Sequence, residues 1–138
     1  MTLDNFKIGP NDVPTYQMSA VPFVTSSAGD NVPAVTNEPT KIQLPNVSRF
    51  FIIQNTSAHP LRFGFSRNGI KALGTLPSNY MVLSGNQTTG RLEIRCKDIF
   101  FLSDTAKKAG FTLLAGVTPI TPSMFPVLTG SDGYEGVG

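Results

Sequence analysis

The 138-residue chain has one cysteine, one histidine and no tryptophan. A lone Cys96 excludes an intramolecular disulfide, and with only His59 besides it there is no Cys/His set to hold zinc. Charge is scarce as well: 14% of the residues are Asp, Glu, Lys or Arg, well below the roughly 25% of ordinary soluble domains. The surface must then be built from Ser, Thr, Asn and Gly, or be covered by neighbours. Eleven basic and nine acidic residues leave a net charge of +2, too balanced for an electrostatic hold on nucleic acid. No run of about eighteen apolar residues occurs, so no membrane-spanning helix is expected. The first ten residues lack a basic start followed by an apolar run, so the expectation is a chain made and kept inside the cell rather than secreted.

Motifs that carry chemistry are missing too. There is no GxGxxG, Walker loop, HExxH, GxSxG or DxDxDG. Ser66 lies between Gly64 and Gly69 but lacks the strand-turn-helix setting and the histidine that a hydrolase serine needs. Cys96 alternates with Leu92 and Ile94, which reads as one apolar strand face and makes Cys96 a buried hydrophobe. His59 reads as an exposed loop residue. Asp98 and Asp104 are expected at opposite ends of a strand. Glu93, between Arg91 and Arg95, reads as a solvated or inter-subunit charge cluster rather than an acid/base pair. Lys107 and Lys108 read as a solvated turn. The triplets starting at Asn46, Asn55 and Asn86 are chance products of an Asn/Ser/Thr-rich chain. No catalytic, cofactor-binding or metal-binding residue is nominated, and the chain is not expected to be an enzyme.

What the chain does have is short strand-like runs separated by turn residues. Residues 49–55, 61–66, 79–83, 91–96, 99–102 and 110–115 are each of strand length. Residues 16–24 and 40–44 bring the number to about eight, with Ile42 and Leu44 on one face and Pro22 suited to a sheet edge. Within residues 49–55, Phe51 and Ile53 oppose Phe50 and Ile52, and Phe63 and Phe65 share a face of the next run. Residues 49–66 read as a hairpin. Residues 67–77 read as a long crossing loop, and residues 84–90 as the clearest turn. Lys97-Asp98 reads as a bend or bulge within one long strand or as a tight hairpin. Phe50, Phe51, Phe63, Phe65, Phe100, Phe101 and Phe111 read as core.

This pattern predicts an all-β protein: an antiparallel β-sandwich of about eight strands, wound as a single jelly roll. The chain of 138 residues is one domain's worth. An N-terminal arm is expected over residues 1–15, the sandwich over 16–118 and a C-terminal arm over 119–138. The last of these is rich in Pro and Gly yet keeps Ile120, Met124, Phe125, Val127, Leu128 and Tyr134, as a segment that orders against its own sandwich or a neighbour would.

The succession Phe51-Ile-Ile-Gln-Asn-Thr-Ser57, Leu61-Arg-Phe-Gly-Phe-Ser66, Asn79-Tyr-Met-Val-Leu-Ser-Gly85, Leu92-Glu-Ile-Arg-Cys96 and Asp98-Ile-Phe-Phe-Leu-Ser103 resembles viral and phage structural sandwiches. The likeness, over roughly residues 40–118, is to the single jelly-roll penton protein of large icosahedral double-stranded DNA viruses. The resemblance implies a homopentamer at each capsid vertex of the virion, contacting neighbouring major and minor capsid proteins through its arms. It implies no direct contact with nucleic acid, no cofactor, and synthesis in the host cytoplasm. The other reading of the same sandwich is a virion decoration or spike module that binds a host receptor or glycan through loops 55–60 and 84–90.

Overall fold

The computed structural model describes residues 19–71 and 79–125, together with Val13. Apart from Val13, the arm expected over 1–15 lies outside the described residues, as do residues 16–18, residues 72–78 of the expected crossing loop and residues 126–138. Among the described residues there are seven strands: β1 (Val21–Ser26), β2 (Thr40–Gln43), β3 (Ser48–Asn55), β4 (Leu61–Gly64), β5 (Met81–Leu83), β6 (Asp98–Ser103) and β7 (Phe111–Val117). They form two antiparallel sheets, one in the order β1-β7-β3 and one in the order β2-β6-β4-β5. An eighth position is filled without a regular strand: residues 87–92 run along the free edge of β3 through bridges Gln54–Thr88 and Phe51–Leu92. Between β1 and β4 the chain changes sheet at every strand, and it does so again at 87–92, β6 and β7. That winding is a jelly roll, in which each sheet is assembled from strands distant in sequence.

Alternation explains the core. Phe51, Ile53, Leu61, Phe63, Ile99, Phe101, Phe111, Leu113 and Ala115 all turn into the space between the sheets, and all are buried. Phe101 of β6 stacks on Phe111 of β7 with ring centroids 4.0 Å apart and planes 8° apart, which fixes the two central strands face to face. Ile42 and Leu44 both reach this core, Leu44 completely. β1 is an edge strand paired only with β7, and its Pro22 costs no ladder bond that the sheet requires.

Four expectations are corrected. Residues 49–66 are not a hairpin: β3 and β4 belong to different sheets. The connection is bent by Asn55, whose Oδ1 accepts from Ser57 N–H at 3.0 Å and whose Nδ2 donates to His59 O at 2.8 Å, turning the chain across the sandwich. Residues 91–96 are not a strand. Ile94 N–H donates to Leu92 O, a three-residue turn, and Ser48 Oγ takes over the local pairing by donating to Ile94 O and accepting from Cys96 N–H. Ile94 is consequently exposed while Cys96 is buried, and Lys97-Asp98 is neither a bulge nor a hairpin but the passage from one sheet to the other. The crossing loop contains a helix, α1 (Arg67–Lys71), started by Ser66, whose Oγ accepts from Gly69 N–H at 3.2 Å.

Candidate assembly surface

The sandwich has two unlike ends. At one, four loops are laced together through main-chain bonds. Ser27 N–H donates to Phe111 O, Thr56 N–H to Gly110 O, Asn86 N–H to Ser57 O and Asp104 N–H to Pro60 O. Gly85 and Gly110 permit this closeness: a Cβ at Gly85 would lie 2.5 Å from Ala58 O, and one at Gly110 would lie 2.8 Å from Thr56 Oγ1. Asn55, fully buried, is the knot, since its Nδ2 also reaches Leu83 O and Ser84 O at 3.2 and 3.0 Å. Loops 55–60 and 84–90 therefore meet. His59 sits in this cluster half-buried rather than exposed, and its main-chain O accepts from Asn55 and Ser57.

At the other end the chain enters and leaves. Val21, the first residue of β1, stands opposite Val117, the last of β7. Beyond it, Thr118 N–H bonds Val47 O, Ile120 is buried and returns its O to Val47 N–H, and Lys97 Nζ donates to Phe125 O at 3.2 Å. The described part of the C-terminal segment thus lies against its own sandwich.

The two outer faces differ in cover. On the second sheet, Arg62 and Leu102 point outward and α1 packs over them. Arg62 pairs with Asp104 at 2.6 Å, donates to Ile70 O at 3.0 Å and lies 4.2 Å from the Tyr80 ring centroid. Ile70 and Leu102 are buried as a result. Glu38 bridges to Arg67 and Lys71 of the helix from the loop before β2. Those two hydrogen bonds hold its carboxyl down at about 2, and the same contact raises Arg67 further.

On the first sheet the register places Val24, Leu114 and Ile52 in one row and Pro22, Gly116 and Phe50 in the next, all outward. Val24 is 63% exposed, while Leu114 and Ile52 are half-buried. Arg91 lies 4.3 Å from the Phe50 ring centroid and pairs with Glu93 at 2.7 Å. A Cβ at Gly116 would collide with the Phe50 ring and lie 2.7 Å from the Ala20 methyl. This stripe was not singled out from the sequence, yet Phe50-Phe51-Ile52-Ile53 held the signal: a strand apolar on both faces is a strand with something to cover each.

Exposed apolar side chains also mark both flanks. Residues 84–86 join β5 tightly to the segment along β3, so those two edges adjoin and β1 lies on the opposite flank. Val21 and Val24 are exposed on the β1 flank, and Met81, Val82 and Ile94 on the other.

The remaining residues fall out as follows. Asp98 and Asp104 do lie at opposite ends of β6. Lys107 and Lys108 are exposed on the turn before β7. Burial pushes the Cys96 thiol up to about 11, against the hydrogen bond from Ser48 and with a smaller push from Asp98. Among the described residues no group of three or more His, Cys, Asp and Glu could hold a metal ion, and no helix is long and apolar enough to cross a membrane.

These strands and loops define a jelly-roll sandwich. No protein-family model matches the chain, and no curated protein is similar to it. Among solved structures it is similar to PirA (14% identity, 71% of this chain and 95% of that one, TM-score 0.37). It is also similar to a chain from Bacillus endospore appendages described as disulfide-linked pili (13%, 70% and 84%, TM-score 0.34). A third is the coat protein of Tobacco streak virus (12%, 91% and 96%, TM-score 0.35).

Proposed function

We propose that the chain is a structural subunit of a viral capsid, a penton protein of which five copies close each five-fold vertex of an icosahedral virion. The observation that carries this reading is the division of exposed apolar side chains between two opposite flanks, Val21 and Val24 on one and Met81, Val82 and Ile94 on the other. A closed ring joins each copy to the next through unlike surfaces, so each subunit needs two. The chain's low charge suits flanks that are covered in the assembly. Both arms leave from one end of the sandwich, where they would meet neighbouring major and minor capsid proteins. The role is burial and closure, without catalysis, cofactor or nucleic acid contact. Antibodies to the protein are expected to label the vertices of partly disrupted particles, and labelling elsewhere on the shell contradicts the reading.

A second reading has one observation in its favour. Loops 55–60 and 84–90 meet at one end through Asn55 and the Asn86 to Ser57 bond, forming a rigid tip suited to a decoration or spike module that binds a host receptor or glycan. Binding of the isolated protein to host polysaccharide, lost on substitution of loop-tip residues, would favour it.

A further inference from the structure

The sheet edges among the described residues are not alike. β2 carries Lys41 and β5 is three residues long, and a charge or a very short strand keeps an edge from taking on another strand. β1 is six residues without a charge, and residues 84–90, which lead onto the free edge of β3, hold no charge either. We propose that β1 of one copy of the chain pairs with residues 88–90 of the next, so that the first sheet runs on from subunit to subunit. The inference rests on the head-to-tail assembly proposed above and names the contact that such an assembly would use.

The main-chain groups of the two edges match. Ser27 N–H donates to Phe111 O, and hydrogen-bonded pairs alternate along an antiparallel ladder. Val21, Phe23 and Thr25 therefore face β7, while the N–H and C=O groups of Val24 and Ser26 point to the other side, where β1 has no strand beside it among the described residues. Pro22 offers that side an acceptor and no donor. On the far edge, Gln87 O accepts from Asn55 N–H and Thr89 N–H donates to Ile53 O. Thr88, between them, turns its own N–H and C=O away from β3, and the same alternation carries those of Gly90 outward. Leu92 turns back, exchanging both its main-chain bonds with Phe51. With Ser26 set opposite Thr88 and Val24 opposite Gly90, each pair exchanges both bonds, and Pro22 falls opposite Leu92, where no donor is needed.

Direction and register select a neighbouring copy arranged about a ring. β1, β7, β3 and the segment at Thr88 alternate in direction, so the two edges run oppositely. Copies placed side by side about an axis along the strands then meet antiparallel. Ser26, Thr112, Gln54 and Thr88 form one row across the sheet. Joining Ser26 to the next copy's Thr88 brings the two ends of that row together with no offset along the strands, and a contact without offset closes a ring instead of climbing as a filament. Gly90 has nothing within 4 Å of the place a Cβ would take, which leaves the approach clear. The exposed Val21 comes beside the exposed Ile94 in this register.

The test uses two full-length variants, Ser26→Cys and Thr88→Cys, mixed under a mild oxidant. Both positions are exposed. The native Cys96 is buried and its thiol is held at about 11, which keeps it out of the reaction. A hydrogen-bonded pair has its Cα atoms about 5.5 Å apart, inside the roughly 7 Å that a disulfide allows. Within one copy β7 and β3 separate the two positions by roughly 14 Å, so they cannot be joined inside a chain. The expected product is a two-chain species from the mixture and from neither variant alone. In parallel, Val24→Pro, which removes an outward donor, is expected to weaken association about tenfold or more, and Val24→Ala, which keeps that donor, to weaken it less. A disulfide in Ser26→Cys alone means that β1 pairs with β1 of another copy, which overturns the proposal. So does the absence of any bond in the mixture, or an Ala variant as damaging as the Pro variant. A five-copy ring without the cross-link overturns this contact and leaves the vertex reading standing. A cross-linked assembly of another size keeps the contact and removes the vertex reading.

Discussion

Val21 and Val117 face each other across the β1–β7 ladder, so the chain enters and leaves the sandwich at a single end. The opposite end is closed by loops that hydrogen-bond one another. The described residues thereby form a hydrogen-bonded tip and a base at which β1 begins and β7 ends, with exposed apolar side chains on the flanks between. A subunit that joins neighbours at its base and sides needs that division.

The rigid tip depends on Asn55. Replacing it by Ala would remove the side-chain acceptor of the buried Ser57 N–H and the side-chain donor to Leu83 O, and would leave the carbonyls of His59 and Ser84 with the Ser57 hydroxyl and Gln87 N–H alone. The expected cost is about 2–4 kcal/mol in urea unfolding. Asn55→Asp should cost a similar amount, because a carboxylate offers no donor to the three carbonyls. Loss of under about half a kcal/mol in either variant would show that the loops hold without it.

Between the sheets, the Phe101–Phe111 stack predicts that Phe111→Ala destabilises by about 3–5 kcal/mol through the cavity left under Phe101. Phe111→Leu should recover much of that. Equal losses for Ala and Leu would mean that the aromatic contact, rather than filled volume, is what matters.

Gly116 is expected to resist any side chain. Its Cβ would meet the Phe50 ring and the Ala20 methyl, so Gly116→Ala should cost about 1–3 kcal/mol by overpacking. Combining it with Phe50→Ala should return part of the loss in a double-mutant cycle. Strict additivity of the two would contradict the contact.

Glu38 ties the loop before β2 to α1. Its folded pKa is depressed to about 2 from an ordinary 4.5, so the tether is fully present above 4.5 and is lost as pH falls through about 2. The Glu38 carboxyl resonance should titrate near 2, and amide exchange in α1 should quicken over that window. Glu38→Gln should remove the pH dependence, and a carboxyl titrating near 4.5 would contradict the bridge.

Cys96 shifts the other way. With its folded pKa raised from 9.0 to about 11, its contribution is complete below pH 9 and is lost as pH rises through about 11, where the unfolded chain gains a thiolate that the fold excludes. A thiol reagent at pH 8 should label the native protein far more slowly than the unfolded chain. Equal labelling rates would place Cys96 at the surface.

The sequence disclosed the strands whose alternation is read by packing alone: Phe51 with Ile53, Ile42 with Leu44, and the run that became β7. It did not disclose partners. Alternation says which way a side chain points and nothing about which strand lies alongside. Residues 49–66 therefore looked like a hairpin, while Asn55 sends β4 into the other sheet. Residues 91–96 alternate as a strand does, yet the Ile94 to Leu92 turn and the Ser48 hydroxyl replace the ladder, a contact between residues 46 apart in sequence. The helix at Arg67–Lys71 lies within residues that read as a crossing loop, because Asn68 and Gly69 are turn formers and its five residues are too few to show a helical period. The open row on the first sheet was half legible, because Phe50 and Ile52 are apolar on the face turned away from the core.

The central claim is assembly of this chain into a five-copy ring, and the mass of the purified protein in solution tests it most directly. Light scattering coupled to size exclusion is expected to give a species of five times 14.8 kDa, with its proportion rising as concentration rises. A mass that stays at 14.8 kDa at every concentration would contradict a self-closing vertex ring.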